Sequence, residues 1–342
     1  MTWSNGDGDA IQLGHGGGGR LSQQLIRELL LPALGTSDGV LHDAALLPAQ
    51  PGRLAFTTDS YVVRPLIFPG GDIGRLAVLG SINDLAMAGA IPVALSLGLI
   101  LEEGLPIATL NTVVASIQRA AVECGVAVVT GDTKVVERGK GDGLFINTSA
   151  VGRVDHNLCI HPPAVMAGDA VLVSGDLGRH GVAILAARDH LGFRTTLRSD
   201  LASLLPPVQA LLAAGLELHC LRDLTRGGLA SAIDEIATSA GWAIELQEPA
   251  IPVGAEVSGA CQLLGLDPLA MANEGRMVVV LPQSQAEEAL TLLRQVESSA
   301  AQIGTVLTAA SPNNPWPVQL RSELGVLRPL DLGQGEQLPR IC

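Results

Sequence analysis

The feature that most constrains the fold of this chain is an alternation of strand-like and helix-like apolar patterns in both halves. In the first half, residues 54–58, 92–101, 126–129 and 144–154 read as strands, with helical spacing over 21–34, 72–89 and 106–124. In the second half, residues 170–174 and 276–281 read as strands, with helical spacing over 181–191, 200–214, 227–240 and 283–296. The pattern predicts an α+β (α/β-like) chain, and it leaves parallel and mixed sheets equally open.

Pro162 and Pro163 mark the predicted boundary between two domains. We expect a Gly-rich leader and first helix over 1–37, an N-terminal domain over 38–160, and a C-terminal α+β domain over 161–330. Residues 331–342 form a Gly-, Gln- and Pro-rich tail that we expect to be flexible. The leader is also expected to be flexible, although its glycine backbone can alternatively fold over phosphates.

Acidic side chains exceed basic ones, with 34 Asp and Glu against 21 Lys and Arg and a formal net charge of −13. This balance makes a nucleic-acid partner unlikely on charge grounds and suits a magnesium-bound nucleotide, whose metal carboxylates can hold. Charged, Gly or Pro residues interrupt every long apolar run, so we expect no membrane span. Residues 1–7 lack a basic region followed by an apolar one, so we expect no secretion signal.

The chain has five cysteines, an odd number, and none of them forms a CxxC pair. They are Cys124, Cys159, Cys220, Cys261 and Cys342. We therefore expect no disulfide framework and no zinc site. We expect reduced thiols in a cytoplasmic protein.

Four aspartates follow predicted strands or interrupt apolar patterns: Asp43, Asp59, Asp84 and Asp132. Burying several unpaired carboxylates together is prohibitive without cations. The pattern therefore favours Mg²⁺ as the cation that these aspartates bind together. The alternative is four separate capping or turn aspartates. Lys134 follows Asp132 by two residues, so a strand places both on one face, where the lysine can neutralise phosphate charge. The alternative for Lys134 is a solvated surface side chain.

No Walker A motif is present, because the glycines at 16–19 are not followed by Lys and Ser or Thr. Any ATP is then expected to bind through carboxylates and metal. Residues 222–228 can bind an anion through helix-N-terminal amides and Arg226, or form an ordinary loop capped by Asp223. Glu274, between Asn273 and Gly275, is a candidate general base or an unremarkable turn residue.

The chain ends in Cys342, whose thiol can enter a narrow site end-on because no chain follows it. Pro339 stiffens the approach, and Arg340 can steer it towards phosphate. The alternative is an idle terminal residue.

Taken together, these motifs closely resemble the HypE family of hydrogenase maturation proteins. The resemblance runs from about His15 to Cys342 and is highly specific. It rests on His15–Gly19, Thr58–Val63, Phe68–Gly74, Gly80–Met87, Glu102–Gly104, Gly131–Val136, Ile146–Thr148, Gly175–Gly181, Asp223–Gly228, Asn273–Gly275 and Pro339–Cys342.

The resemblance implies the two-domain fold of aminoimidazole ribonucleotide synthetase and selenophosphate synthetase. The N-terminal domain would dimerise through its sheet, and ATP with Mg²⁺ would bind between the domains. A carbamoyltransferase, HypF, would load a carbamoyl group onto Cys342. ATP-dependent dehydration would convert that group to a thiocyanate, and the cyano group would pass to iron on a HypC–HypD complex.

The resemblance also implies the site residues. Cys342, Lys134 and Glu274 would be catalytic, and Asp43, Asp59, Asp84 and Asp132 would hold the metal. The nucleotide-binding set would be Asp43, Asp59, Asn83, Asp84, Asp132, Thr133, Lys134 and Asp223.

Two positions depart from the family pattern. His42 stands where an acidic residue is frequent, which weakens the metal position at Asp43, and Ser81 replaces a threonine but keeps the hydroxyl. Two other functions are weighed against the dehydratase. A selenophosphate synthetase-like enzyme needs a reactive residue near its N-terminus, where this chain has no cysteine before Cys124. A non-enzymatic maturation scaffold would use Cys342 as a metal ligand, with no second Cys/His cluster to support it.

Overall fold

The computed structural model describes residues 10–17, 19–34, 45–188, 195–307, 316–330, 332 and 341. The chain divides into two compact units. The first contains the described residues up to Leu85 together with Ala90–Asp155, and the second contains Ala86–Gly89 and the described residues from His156 to Ile341. Mixed helices and sheets in both units confirm the predicted α+β class.

The first unit is built on a four-stranded sheet in the order β1-β6-β4-β5. The strands are β1 (Arg53–Tyr61), β4 (Ile91–Glu102), β5 (Val128–Val136) and β6 (Leu144–Val154), and a short hairpin of β2 (Ile67–Phe68) and β3 (Gly71–Asp72) precedes the first long helix. Strands β4 and β5 are parallel, and β6 is antiparallel to both β1 and β4.

Among the residues that the structure describes, one face of this sheet is covered and the other is open. Residues paired across the four strands form rows, and successive rows point to opposite faces. The covered face contains the row Thr57, Ala150, Leu95 and Val128. The open face contains the next row, which is Thr58, Ser149, Ser96 and Thr130. The two longest described helices that begin in this unit are α3 (Ile73–Met87) and α4 (Ile107–Glu123). Ser81 of α3 hydrogen-bonds Thr148 on the covered face at 2.6 Å.

Asp72 caps the N-terminus of α3. Asp72 accepts hydrogen bonds at Oδ1 from the backbone amides of Gly74 and Arg75, at 2.8 and 3.0 Å. These amides belong to the first helical turn and have no partner within the helix, so the carboxylate satisfies donors that would otherwise stay unpaired.

The expectation of a flexible leader does not hold for residues 10–17. His15 is buried in a short 3₁₀ turn, Leu13–Gly16, and a side chain at Gly16 would overlap the backbone of Val135. The predicted helix follows as α1 (Arg20–Gln24), a π-helical segment (Leu25–Leu30) and α2 (Leu31–Leu34). Its core-facing side chains are Leu25, Leu29 and Leu30.

The second unit contains a seven-stranded mixed sheet in the order β13-β12-β9-β11-β7-β10-β8. Only the β9–β12 pairing is parallel among these described strands. The strands are β7 (Asp169–Val173), β8 (Cys220–Asp223), β9 (Ile244–Gln247), β10 (Met277–Pro282), β11 (Ala301–Val306), β12 (Val318–Arg321) and β13 (Leu327–Pro329).

Apolar cores lie on both faces of this sheet. Val171 and Val173 of β7 pack with α7 (Gly228–Ala240), whereas Ala170 and Leu172 pack with α6 (Leu205–Ala213) and α9 (Ala286–Val296). A strand buried on both faces needs a continuous apolar run, as β7 and β10 have. The remaining helices are α5 (Arg179–Ala186) and α8 (Ala255–Leu264).

Two sequence predictions are corrected here. The helix expected from residue 200 begins only at Leu205, because Pro206 and Pro207 lack amide hydrogens and fit a helix only in its first turn. The part of the predicted 181–191 helix beyond residue 188 lies outside the described residues. Strands β8, β9, β11, β12 and β13 were not expected, since each is short and lacks a clear period. Across the described ranges, no helix is both long and apolar enough to cross a membrane.

Candidate functional site

In the first unit, Asp59 and Asp84 lie on the covered side of the sheet. Asp59 pairs across the sheet with Thr148, which is buried against α3. Thr57, two residues before Asp59 on the same face of β1, donates a hydrogen bond to Asp84 Oδ2 at 2.6 Å. Both carboxylates are half-buried, and Asn83 beside Asp84 is almost fully buried. Strand β1 therefore meets helix α3 at the Asn-Asp pair, with Asp59 and Asp84 on the same side of the sheet.

Asp132 and Lys134 occupy the open side of the same sheet. Asp132 shares a row with Ser60, Asn147 and Gly98, one row away from Asp59 and on the opposite face. The predicted common face of Asp132 and Lys134 is confirmed, with Lys134 Nζ 2.9 Å from Asp132 Oδ2. This hydrogen bond lowers the pKa of the Asp132 carboxyl below its usual value. Thr133, between them, is half-buried and points to the covered side.

The predicted metal ligands fit magnesium only in part. Asp59 and Asp84 offer carboxylate oxygens on one face, as Mg²⁺ requires. Among the described residues, no three His, Cys, Asp or Glu side chains are close enough to hold a metal ion. Asp132 faces away from the other two, and Asp43 lies outside the described residues, so the four-aspartate set stays a prediction.

In the second unit, the loop that carries Glu274 is tightly held. Glu274 is 3% exposed, which disfavours its reading as an ordinary turn residue. The Asp200 carboxylate accepts the backbone amides of Glu274 and Gly275, at 3.3 and 3.2 Å. A side chain at Gly275 would overlap the backbone of Asp200, so only glycine permits this close approach.

The residue before Glu274 connects this loop to helix α5. Asn273 accepts the Gly178 amide at 2.7 Å and donates through its amide nitrogen to the carbonyls of Leu224 and Met271. Gly178 is the left-handed N-cap of α5, at φ +87°. The Asn273-Glu274 pair is therefore positioned by backbone contacts on three sides.

Asp223 ends strand β8 and is half-buried, and Arg226 is exposed in the turn before α7. Gly227 is the left-handed N-cap of α7, and the Gly228 amide donates to the Thr225 carbonyl at 3.0 Å. The expected turn before a helix is confirmed, and its anion-binding role stays a prediction.

The chain end returns to this unit at Ile341, which is 3% exposed. Its carbonyl oxygen lies 2.8 Å from Nε2 of His180, in the first turn of α5. Cys342 itself lies outside the described residues. The sequence places His180 in a family motif but gives it no functional role, and it does not identify Asp200 as a functional residue. No local spacing links either residue to positions 274 or 341.

Comparison with known proteins identifies two family domains. The N-terminal domain of AIR synthase related proteins matches residues 41–154, and the C-terminal domain of the same proteins matches residues 166–312. The chain is 48% identical to carbamoyl dehydratase HypE of Azotobacter vinelandii over 336 residues, which cover 97% of each chain.

Solved structures agree with this match. A crystal structure of hydrogenase maturation protein HypE in complex with ATP superposes with a TM-score of 0.91 at 45% identity, covering 96% of this chain and 99% of that one. A crystal structure of a HypE–HypF complex superposes with a TM-score of 0.77 at 40% identity, covering 90% and 99%. The chain therefore belongs to the HypE family of hydrogenase maturation proteins, the carbamoyl dehydratases.

Proposed function

We propose that this chain uses ATP to dehydrate a carbamoyl group carried on the thiol of Cys342, producing a thiocyanate for cyanide ligand synthesis in [NiFe]-hydrogenase maturation. The observation that carries the proposal is the burial of Ile341 beside α5, in the unit that also holds the Glu274 loop. Penultimate residues are usually frayed, so burial of this one favours a working chain end over an idle one.

The oxygen atom of the carbamoyl group leaves as part of inorganic phosphate. The carbamoyl oxygen attacks the γ-phosphate of ATP and ADP leaves, while the carbamoyl nitrogen loses one proton, which gives a phosphorylated imidate on sulfur. Loss of the second N–H proton then expels inorganic phosphate with that oxygen and leaves S–C≡N. Phosphorylation is needed because an amide oxygen is otherwise a poor leaving group.

Glu274 is the proposed base for the nitrogen protons. Its backbone is fixed by Asp200, and a buried carboxylate at a fixed position is suited to proton abstraction. Lys134 is proposed to offset charge that develops on the phosphoryl group. Glu274→Gln separates the two residues, because it removes the proposed base and leaves Lys134 unchanged.

Asp59 and Asp84 are the proposed inner ligands for Mg²⁺, and Asp43 is proposed to join them. Asp132 belongs to the set predicted from the sequence, but it lies on the opposite face of the sheet and cannot join these ligands within one chain. Magnesium would supply charge neutralisation of the phosphates. Asn83, Thr133 and Asp223 are proposed to contact the nucleotide. The relative crystallised with ATP supports nucleotide binding in this family.

A homodimer is proposed through the open face of the first sheet. Leu54 and Phe56 of β1 are 61% and 70% exposed there, and Ile100 of β4 is also exposed. Apolar side chains on an otherwise uncovered sheet favour a protein partner. Because Asp132 and Lys134 occupy the same face, a second copy is proposed to complete their surroundings.

The other proposed partners follow from the chemistry. A HypF-type carbamoyltransferase would load Cys342, as the relative's complex with HypF suggests. A HypC–HypD complex is the proposed cyano acceptor. Residues 331–342 reach roughly 40 Å when fully extended, enough for one thiol to visit both an internal site and an external partner. The cytoplasm is the proposed compartment, since reduced cysteines suit it.

The test of this proposal is ADP release. Chain carbamoylated on Cys342 should release ADP with Mg-ATP, whereas unmodified chain and Cys342→Ala should not. ATP hydrolysis independent of the carbamoyl group would instead favour another enzyme of the superfamily. No hydrolysis under any condition would favour a scaffold.

A further inference from the structure

The contact between the chain end and α5 involves a fully buried imidazole. His180 has no measurable exposure, and its Nε2 lies 2.8 Å from the carbonyl oxygen of Ile341. Ile341 is separated in sequence from His180 by most of the second unit, so the bond closes a long loop. Such a bond holds the backbone of the residue that directly precedes Cys342.

The hydrogen-bond partners define the tautomer of His180. A carbonyl oxygen only accepts, so Nε2 carries the hydrogen and donates it to Ile341. Burial lowers the pKa of His180, which keeps the ring neutral and leaves Nδ1 as an acceptor. The Ser199 hydroxyl, 2.8 Å away, donates to Nδ1 and accepts the Leu201 amide at 3.1 Å.

Ser199 also connects the tail contact with the Glu274 loop. Its neighbour Asp200 accepts the amides of Glu274 and Gly275. The Gly181 amide, one residue after His180, donates to Ala272 O at 3.1 Å. Residues 199–200 therefore contact both the His180 side chain and the loop that carries Glu274. The first turn of α5 contacts the same loop through Gly181.

We propose that His180 is a positioning residue that seats the C-terminal tail, with Ser199 holding its ring, so that the Cys342 carbamoyl group is presented to Glu274. The inference rests on the proposed dehydratase function. Because Cys342 follows the held carbonyl directly, one fixed bond restricts the thiol to the reach of a single residue. A single neutral bond is also weak enough to release the tail for loading.

The experiment compares His180→Ala, His180→Gln and Ser199→Ala, all in a Cys159→Ser background that removes the exposed thiol of Cys159. His156→Ala is the matched control, because His156 Nε2 also contacts a backbone carbonyl, but that of Ala88, at 3.1 Å, and not that of Ile341. Two rates are measured by intact mass: alkylation of Cys342 without ATP, and single-turnover conversion of pre-carbamoylated chain with Mg-ATP.

Loss of the bond in His180→Ala should raise the alkylation rate and slow conversion, each by about fivefold, the effect of one lost hydrogen bond. Loading by the carbamoyltransferase should be no slower. His180→Gln keeps a donor and should recover part of both rates, Ser199→Ala should show a smaller change, and His156→Ala should match the parent.

Parental rates in His180→Ala would overturn the inference, even if the parent converts its carbamoyl group normally. Slower conversion without faster alkylation would also overturn it, since the tail would then be seated without His180. A parent chain that never converts would refute the proposed function, and the alkylation rate would still test the seating. If His180→Ala melts well below the parent chain, Ser199→Ala and His180→Gln replace it in the comparison. Alkylation and conversion rates equal to those of the parent in both variants would then overturn the inference.

Discussion

At the scale of single residues, the clearest result is that Glu274 has a buried side chain on a backbone that its neighbours hold in place. Its neighbours fix the backbone through Asp200 and Asn273, in a sequence that reads locally as a simple turn. From the local sequence Glu274 is either a candidate general base or an ordinary turn residue, and the resemblance to the family favours the base. Its burial depends on a segment 74 residues away, which no local pattern reveals.

Replacement of Glu274 by Gln should separate loading from dehydration. The amide keeps the size of the side chain but removes the base, so conversion of the carbamoylated chain should slow by about 100-fold or more. Carbamoylation of Cys342 should be unaffected. Single-turnover mass spectrometry measures both steps, with Glu288→Gln on the exposed surface of α9 as the control. Normal conversion in Glu274→Gln would transfer the role of base to Lys134.

The buried cysteines should be unreactive in the folded chain. Burial raises the pKa of Cys220 to about 12 and that of Cys261 to about 11. At pH 8 both thiols stay protonated, and only the thiolate is a nucleophile. Alkylation followed by peptide mapping should label Cys159 and leave Cys124, Cys220 and Cys261 unlabelled until denaturant is added. Labelling of Cys220 as fast as Cys159 would contradict this assignment.

At the scale of secondary-structure elements, the long periodic segments of the first unit were predictable. The strand expected over 144–154 has those bounds, and the helix expected over 106–124 is found as Ile107–Glu123. The short strands β8, β9 and β11–β13 were not predictable, because partners distant in sequence form them. Helix α6 begins at Leu205 rather than at the predicted residue 200, and Asp200 instead holds the Glu274 loop.

The cap of α3 gives a prediction at this scale. Asp72→Ala leaves two amides of the first turn without an acceptor, which should lower the free energy of unfolding by about 1 kcal/mol. Asp72→Asn keeps an acceptor oxygen and should recover most of the loss. Urea denaturation measures both variants, and an unchanged midpoint for Asp72→Ala would show that the cap contributes nothing.

At the scale of the whole molecule, two results depend on the register of the first sheet. It places Asp59 and Asp132 on opposite faces, which the count of aspartates in the sequence cannot show. It also leaves Leu54 and Phe56 exposed on the open face. Both observations are explained if a second copy covers that face, as the proposed homodimer requires.

A charge on the open face should therefore disrupt association. Phe56→Asp places a carboxylate at the centre of the proposed apolar contact, and burying it unpaired is costly. Sedimentation should show a dimer for the parent and a monomer for this variant. Leu324→Asp, at a side chain 90% exposed in the second unit, is the matched control and should stay dimeric. A dimer of unchanged affinity in Phe56→Asp would place the interface elsewhere.

The central claim is that Cys342 carries the reacting group, and intact-protein mass spectrometry tests it most directly. The chain is incubated with its carbamoyltransferase, carbamoyl phosphate and Mg-ATP, beside Cys342→Ala. The account predicts a gain of about 43 Da that converts to about 25 Da, absent in Cys342→Ala. No adduct with an active carbamoyltransferase, or the same adduct in Cys342→Ala, would contradict it.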